Sequence, residues 1–141
     1  MATHRESFSL ETHGEVHAID ITERVAKAVR ASGVREGIAC VCTPGSTAAI
    51  VANEFEPGLV EEDLPAALER LVPKAGVAYA HEKRGGDPNG HSHLRATVLG
   101  SSVTFPIGGS EPLLGAWQQL ILLELDTRPR TREVIVQIVG E

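Results

Sequence analysis

After Gly90 the chain runs through four strand-like segments, His93–Leu99, Ser102–Ile107, Trp117–Leu125 and Glu133–Val139. They are punctuated by the turn clusters Gly108-Gly109-Ser110 and Asp126-Thr127-Arg128-Pro129-Arg130. Earlier, Ser7–Thr12 alternates apolar and polar residues, His13-Gly14-Glu15 can turn the chain, and Val16–Asp20 can return as a second strand. Gly37–Cys42 reads as one more strand, buried, and is followed by the small apolar run Ala48–Ala52. Helices fall between these groups without regular alternation. One starts at Thr22, carries Val25, Ala28 and Val29 on one face, and stops near Ser32-Gly33. Another spans Asp63–Val72, with Leu64, Leu68, Leu71 and Val72 as its stripe and Pro73 as its end. The pattern predicts an α+β fold: a largely antiparallel, two-layer β-sandwich-like sheet with two main helices.

No repeat or linker-like stretch divides residues 1–141, so a single domain is expected. The charges sum to 13 − 19 = −6, which argues against a mainly electrostatic nucleic-acid binder. No apolar run reaches the roughly 18 residues of a membrane span, and no signal-peptide pattern opens the chain. A soluble, cytoplasmic protein with no membrane partner is expected. Cys40 and Cys42 lie two apart on a strand, where a disulfide would be badly strained, so both are expected reduced and buried.

Asp87-Pro88-Asn89-Gly90-His91-Ser92-His93-Leu94-Arg95 is the densest chemical signal. On an extended backbone His91 and His93 would project from one face, as two neutral imidazoles suited to a divalent metal such as zinc. Arg95 would follow on that face and could meet a phosphate. Two surface histidines at a strand entrance are the plain alternative. His81 opens the polar loop Ala80–Gly90; folded back, it would complete a three-histidine set with one open position, the arrangement of catalytic zinc. His4, His13 and His17 read as surface residues on an N-terminal hairpin.

Thr43-Pro44-Gly45-Ser46-Thr47, after a buried strand, can present amides and hydroxyls to an oxyanion, or serve as an ordinary turn. No Gly-Lys-Ser/Thr follows, so it is not a Walker loop. Glu54 can act as general base or carboxylate ligand, or simply be an exposed charge. Gly-x-Ser-x-Gly is absent, and nucleophilic catalysis is not expected. Trp117 reads as a core anchor at a strand start, and one of Gln118 and Gln119 can reach a polar site.

Taken together, Gly45-Ser46-Thr47-Ala48-Ala49-Ile50, Glu54, Leu64–Pro73, Asn89-Gly90-His91-Ser92-His93-Leu94-Arg95-Ala96, Leu99-Gly100, Leu114-Gly115-Ala116-Trp117-Gln118-Gln119 and Val134-Ile135-Val136-Gln137 resemble the YjbQ family. It is also called UPF0047, or secondary thiamine-phosphate synthase enzymes. The resemblance implies a two-layer α+β domain forming a homotrimer. Its site would lie between subunits and be built from the Gly45 turn and the histidine loop. It implies weak thiamine-phosphate synthase activity, joining hydroxymethylpyrimidine diphosphate to thiazole phosphate and releasing pyrophosphate.

The implied site takes a divalent metal, zinc first and magnesium second, on His81, His91 and His93. Glu54, Ser46, Thr47, Asp87 and Arg95 are expected around a phosphorylated ligand. Many members carry His-Thr-Thr where this chain has Gly45-Ser46-Thr47, so that imidazole is missing here. Two other readings stay open: a non-catalytic trimeric metal- or phosphate-metabolite-binding protein, and a hydrolase using metal-bound water.

Overall fold

Leu120, Ile121, Leu122 and Leu123 follow one another along a single strand, and none is more than 1% exposed. A strand points successive side chains to opposite faces, so this one must be covered on both. The computed structural model, which describes residues 1–141, shows how. Leu120 and Leu122 join the main core between two sheets, while Ile121, Leu123 and Leu125 join a second core under helices.

The elements in chain order are β1 (Ala2–Glu11), β2 (His17–Asp20), α1 (Thr22–Ser32), β3 (Glu36–Cys42) and β4 (Ala48–Asn53). A π-helical segment, Gly58–Asp63, then runs into α2 (Leu64–Leu71). They continue with α3 (Ala80–Lys83), α4 (Gly90–Leu99), β5 (Ser102–Gly108), β6 (Glu111–Pro112), β7 (Gln119–Glu124) and β8 (Thr131–Gly140). One sheet has the order β1-β8-β3-β5-β6 and the other β2-β7-β4. All pairings are antiparallel, with registers such as Phe8 opposite Val134 and Ala48 opposite Glu124.

The larger sheet contributes Val134, Val136, Ile138, Ala39 and Val41 to the main core, each fully buried. Side chains of that kind contribute about 1.5–3 kcal/mol each when removed from water. Val25, Ala28 and Val29 of α1 pack into the same core, as the sequence stripe requires, and Gly33 ends the helix at φ 73°. Leu68 of α2 and Ala96 of α4 cover the far face of β7. No helix is long and apolar enough to cross a membrane.

The antiparallel α+β expectation therefore holds, with four corrections. Residues 93–99 are helix, not strand, so there are three helices of eight residues or more. The N-terminal hairpin does not form: β1 pairs with β8 and β2 with β7, so the chain changes sheets at the 12–16 turn. Trp117 is 75% exposed rather than a core anchor. Cys40 and Cys42 share the outer face of β3 and are half-buried, not sealed in the core.

Candidate functional site

Three polar clusters meet near the start of β4 and α4, and the sequence-predicted residues divide among them. The first is a buried charge network. Glu124, at the end of β7, accepts from Arg132 Nε at 2.8 Å and Nη2 at 2.6 Å, and from the Thr12 hydroxyl at 2.7 Å. Thr47 accepts from Arg132 Nη2 at 2.7 Å and donates to Asp126 Oδ2 at 3.1 Å. Asp126 also receives the Arg130 guanidinium at 2.6 Å and the Asn89 amide at 3.2 Å.

Burial alone would push both carboxyls up. The hydrogen bonds from Arg132, Thr12 and the Asp126 amide more than offset it, leaving Glu124 below its usual value. Those from the Thr127 amide, Asn89, Arg130 and Thr47 hold Asp126 far below its own. Thr47 is thereby occupied inside the protein, while its neighbour Ser46 stays exposed.

The second cluster holds His91. On helix α4, residues two apart point about 200° away from each other around the axis, so His91 and His93 cannot share a face. His91 is fully buried, and its Nε2 lies 2.6 Å from Glu15 Oε2. Glu15 pairs on its other oxygen with Lys74. His91 Nδ1 is sealed from solvent without a partner. This ties the 12–16 turn to α4 and to the end of α2.

Arg95 is structural in the same way. Its side chain is 4% exposed, donating to Glu69 at 2.8 Å and to the Val72 carbonyl at 3.0 Å, which anchors α4 on α2. It does not join the phosphate-binding face expected of it.

The third cluster holds His93. Its ring meets His81 edge to face, with centroids 4.7 Å apart. A recess of about 270 Å³ lies against Tyr79, His81, Gly90 and His93. Another of about 290 Å³ is lined by Gly45, Ser46, His93, Thr97 and Ser101. His93 is thus the wall common to both, and it brings the Gly45 turn and the histidine loop to one place. Nowhere in the chain do three or more His, Cys, Asp or Glu side chains gather as a metal cage. The three-histidine set reduces to His81 and His93.

Glu54 stands elsewhere. It follows Asn53, the far end of β4, which lies on the order of 16 Å from Ala48 at the strand's rise, and it stands beside an apolar recess with Val51, Leu59 and Ile121. Asp87 is exposed on the loop before α4. Gln119 accepts the Phe55 amide at 2.8 Å, so it braces the chain after β4. Sequence reasoning missed Glu15, Glu124, Asp126 and Arg132. The available signal was a lone glutamate inside the apolar run Leu120–Leu125.

The model of the family described as UPF0047 protein YjbQ-like matches residues 6–141. A UPF0047 protein of Archaeoglobus fulgidus is 43% identical over 129 residues, covering 92% of this chain and 96% of its own. One from Methanothermobacter thermautotrophicus is 38% identical across 100% of this chain and 95% of its own. The crystal structure of a YbjQ-like protein of unknown function from Sulfolobus solfataricus superposes with a TM-score of 0.87 at 33% identity. It covers 99% of this chain and 100% of that one. A YjbQ/UPF0047 structure from Clostridium acetobutylicum gives 0.85 at 37% identity, covering 95% and 99%.

Proposed function

The chain belongs to the UPF0047 YjbQ-like family, and from that premise we propose a homotrimeric, metal-dependent enzyme that handles a phosphorylated small molecule at His93. The proposed reaction is a weak thiamine-phosphate synthase-type transfer. The bond from the hydroxymethylpyrimidine carbon to diphosphate breaks, a bond to thiazole phosphate forms, and pyrophosphate leaves.

One observation carries this reading: His93 faces both His81 and the recess under Gly45 and Ser46. The two imidazoles fit zinc, which would take its remaining ligands from phosphate oxygens and water; magnesium, the second choice, would be held by the phosphate oxygens and water rather than by the rings. Such an ion supplies positive charge to a leaving pyrophosphate. Around it the Ser46 hydroxyl offers a donor to phosphoryl oxygens, and His93 orients what lies between the two recesses. Displacement of pyrophosphate depends on charge stabilisation more than on a protein nucleophile, which suits a site with donors and no activated thiol. The proposed trimer would give its subunit contacts exposed apolar side chains to cover, among them Trp117 at 75%, Leu71 at 72% and Val98 at 67%.

The test is pyrophosphate release from the two substrates by wild type and His93→Ala. Release above background that disappears in the variant is expected; equal release in both would remove the reading. A second reading, a trimeric metal- or phosphate-binding protein without turnover, is favoured by the position of the carboxylates. Glu54 stands beyond the far end of β4, and Glu15 is committed to His91 and Lys74. Tight phosphate binding with no turnover of phosphorylated substrates would select it. The hydrolase alternative loses its geometric support, because His91 does not join His81 and His93.

A further inference from the structure

We propose that Arg132 is a direct ligand for a phosphoryl oxygen, reached through the gap left by the missing side chain of Gly45; this rests on the phosphorylated-ligand reading above. The Arg132 side chain is 9% exposed and held flat by three hydrogen bonds, all from Nε and Nη2. Nη1 makes none of them. The buried side-chain atoms sealed without partners are Asn89 Oδ1 and His91 Nδ1, so Nη1, which makes no hydrogen bond, is not fully sealed from solvent.

A Cβ placed on Gly45 would lie 3.0 Å from Nη1, with no other atom of a distant residue nearby. An N–H···O hydrogen bond puts its acceptor 2.7–3.2 Å from the nitrogen. The side chain that Gly45 lacks would therefore occupy the place of an acceptor oxygen. Gly45 is not among the glycines with positive φ, so the turn does not need glycine for its backbone. Space for a ligand is what glycine provides there.

Two further sets of donors lie in the same turn. The amides of Gly45, Ser46 and Thr47 take no part in the backbone hydrogen bonds outside regular elements, and the Ser46 side chain is exposed. Successive free amides beside an arginine suit an anion. With the Ser46 hydroxyl and Arg132 Nη1 they make up more donors than the roughly four acceptor sites of a carboxylate, which favours a phosphoryl group with its larger set of acceptor oxygens. Glu124 and Thr47 fix the guanidinium plane in advance, so little side-chain freedom remains to be lost on binding.

Inorganic phosphate and pyrophosphate, titrated into the full-length protein by calorimetry or phosphorus NMR, are the probes, with acetate as control. Wild type is expected to bind phosphate and pyrophosphate well ahead of acetate. Gly45→Ala is expected to weaken phosphate by about tenfold or more, with an unchanged circular dichroism spectrum. Arg132→Lys should do the same, but it also breaks the buried pair with Glu124, so Gly45→Ala decides. Phosphate binding by Gly45→Ala as tight as wild type, lost instead in His93→Ala, would overturn the Arg132 assignment and leave the phosphorylated-ligand reading standing. Wild type that binds neither phosphate nor pyrophosphate would overturn both. Acetate binding equal to phosphate would overturn the phosphoryl assignment.

Discussion

Arg132 grips Glu124 through two parallel hydrogen bonds, Nε to Oε1 and Nη2 to Oε2, at 2.8 and 2.6 Å, with both side chains at least nine-tenths buried. The pair joins the end of β7 in the small sheet to the start of β8 in the large one. Removing one partner strands the other charge. Glu124→Ala is therefore predicted to cost about 3–5 kcal/mol, read as a drop in the urea midpoint. A midpoint within error of wild type would contradict a structural role for the pair.

Acid should loosen the same junction. The carboxyls of Glu124 and Asp126 sit below their ordinary values of 4.5 and 3.8. A depressed carboxyl adds stability that is fully present above its unfolded value and lost as pH falls through the folded one. The unfolding free energy is thus predicted to be level in this respect above about pH 5.5 and to decline below about pH 4.5. Glu124→Gln, less stable at neutral pH, should show a shallower decline. An equal slope in both proteins would assign the acid sensitivity elsewhere.

Arg95→Met keeps most of the side-chain volume but leaves the Val72 carbonyl and Glu69 without their donor. A loss of about 1–3 kcal/mol is predicted, with phosphate affinity unchanged. The opposite outcome, normal stability with lost phosphate binding, would restore Arg95 to the ligand site.

Trp117→Ser tests the assembly. If the proposed homotrimer forms with the exposed indole in a subunit contact, light scattering should show a trimer mass for wild type and a fall toward monomer in the variant. An unchanged trimer mass would place the contact elsewhere.

Much of this architecture was legible because it follows apolar periodicity. The Val25, Ala28 and Val29 stripe, the Leu64–Leu68 helix and the core strands Leu120–Leu125 and Val134–Ile138 all announce themselves. Helix α4 does not. Its buried positions, Gly90, His91, Ser92, Arg95 and Ala96, do follow a helical face, but most carry polar or minimal side chains. The 3.6-residue period is present in burial and hidden in hydropathy, so the segment read as a strand. The site follows from the same ambiguity, since His91 and His93 share a face only on an extended backbone. The cross-sheet network was hidden for another reason: Asp126 and Arg130 look like turn charges, and only tertiary contact makes them a unit. His81 and His93 meet all the same, because α3 packs on α4 and sets the two rings edge to face, with Gly45 and Ser46 lining the recess beside His93.

The division between His91 and His93 is the central claim, and zinc titration of three proteins tests it most directly. Wild type is predicted to bind zinc. His93→Ala should lose it while keeping its unfolding midpoint, because His93 is only partly buried. His91→Gln should keep zinc binding yet unfold at a lower denaturant concentration, because its buried contact with Glu15 is altered. Zinc lost from His91→Gln while still folded, and retained by His93→Ala, would contradict the account.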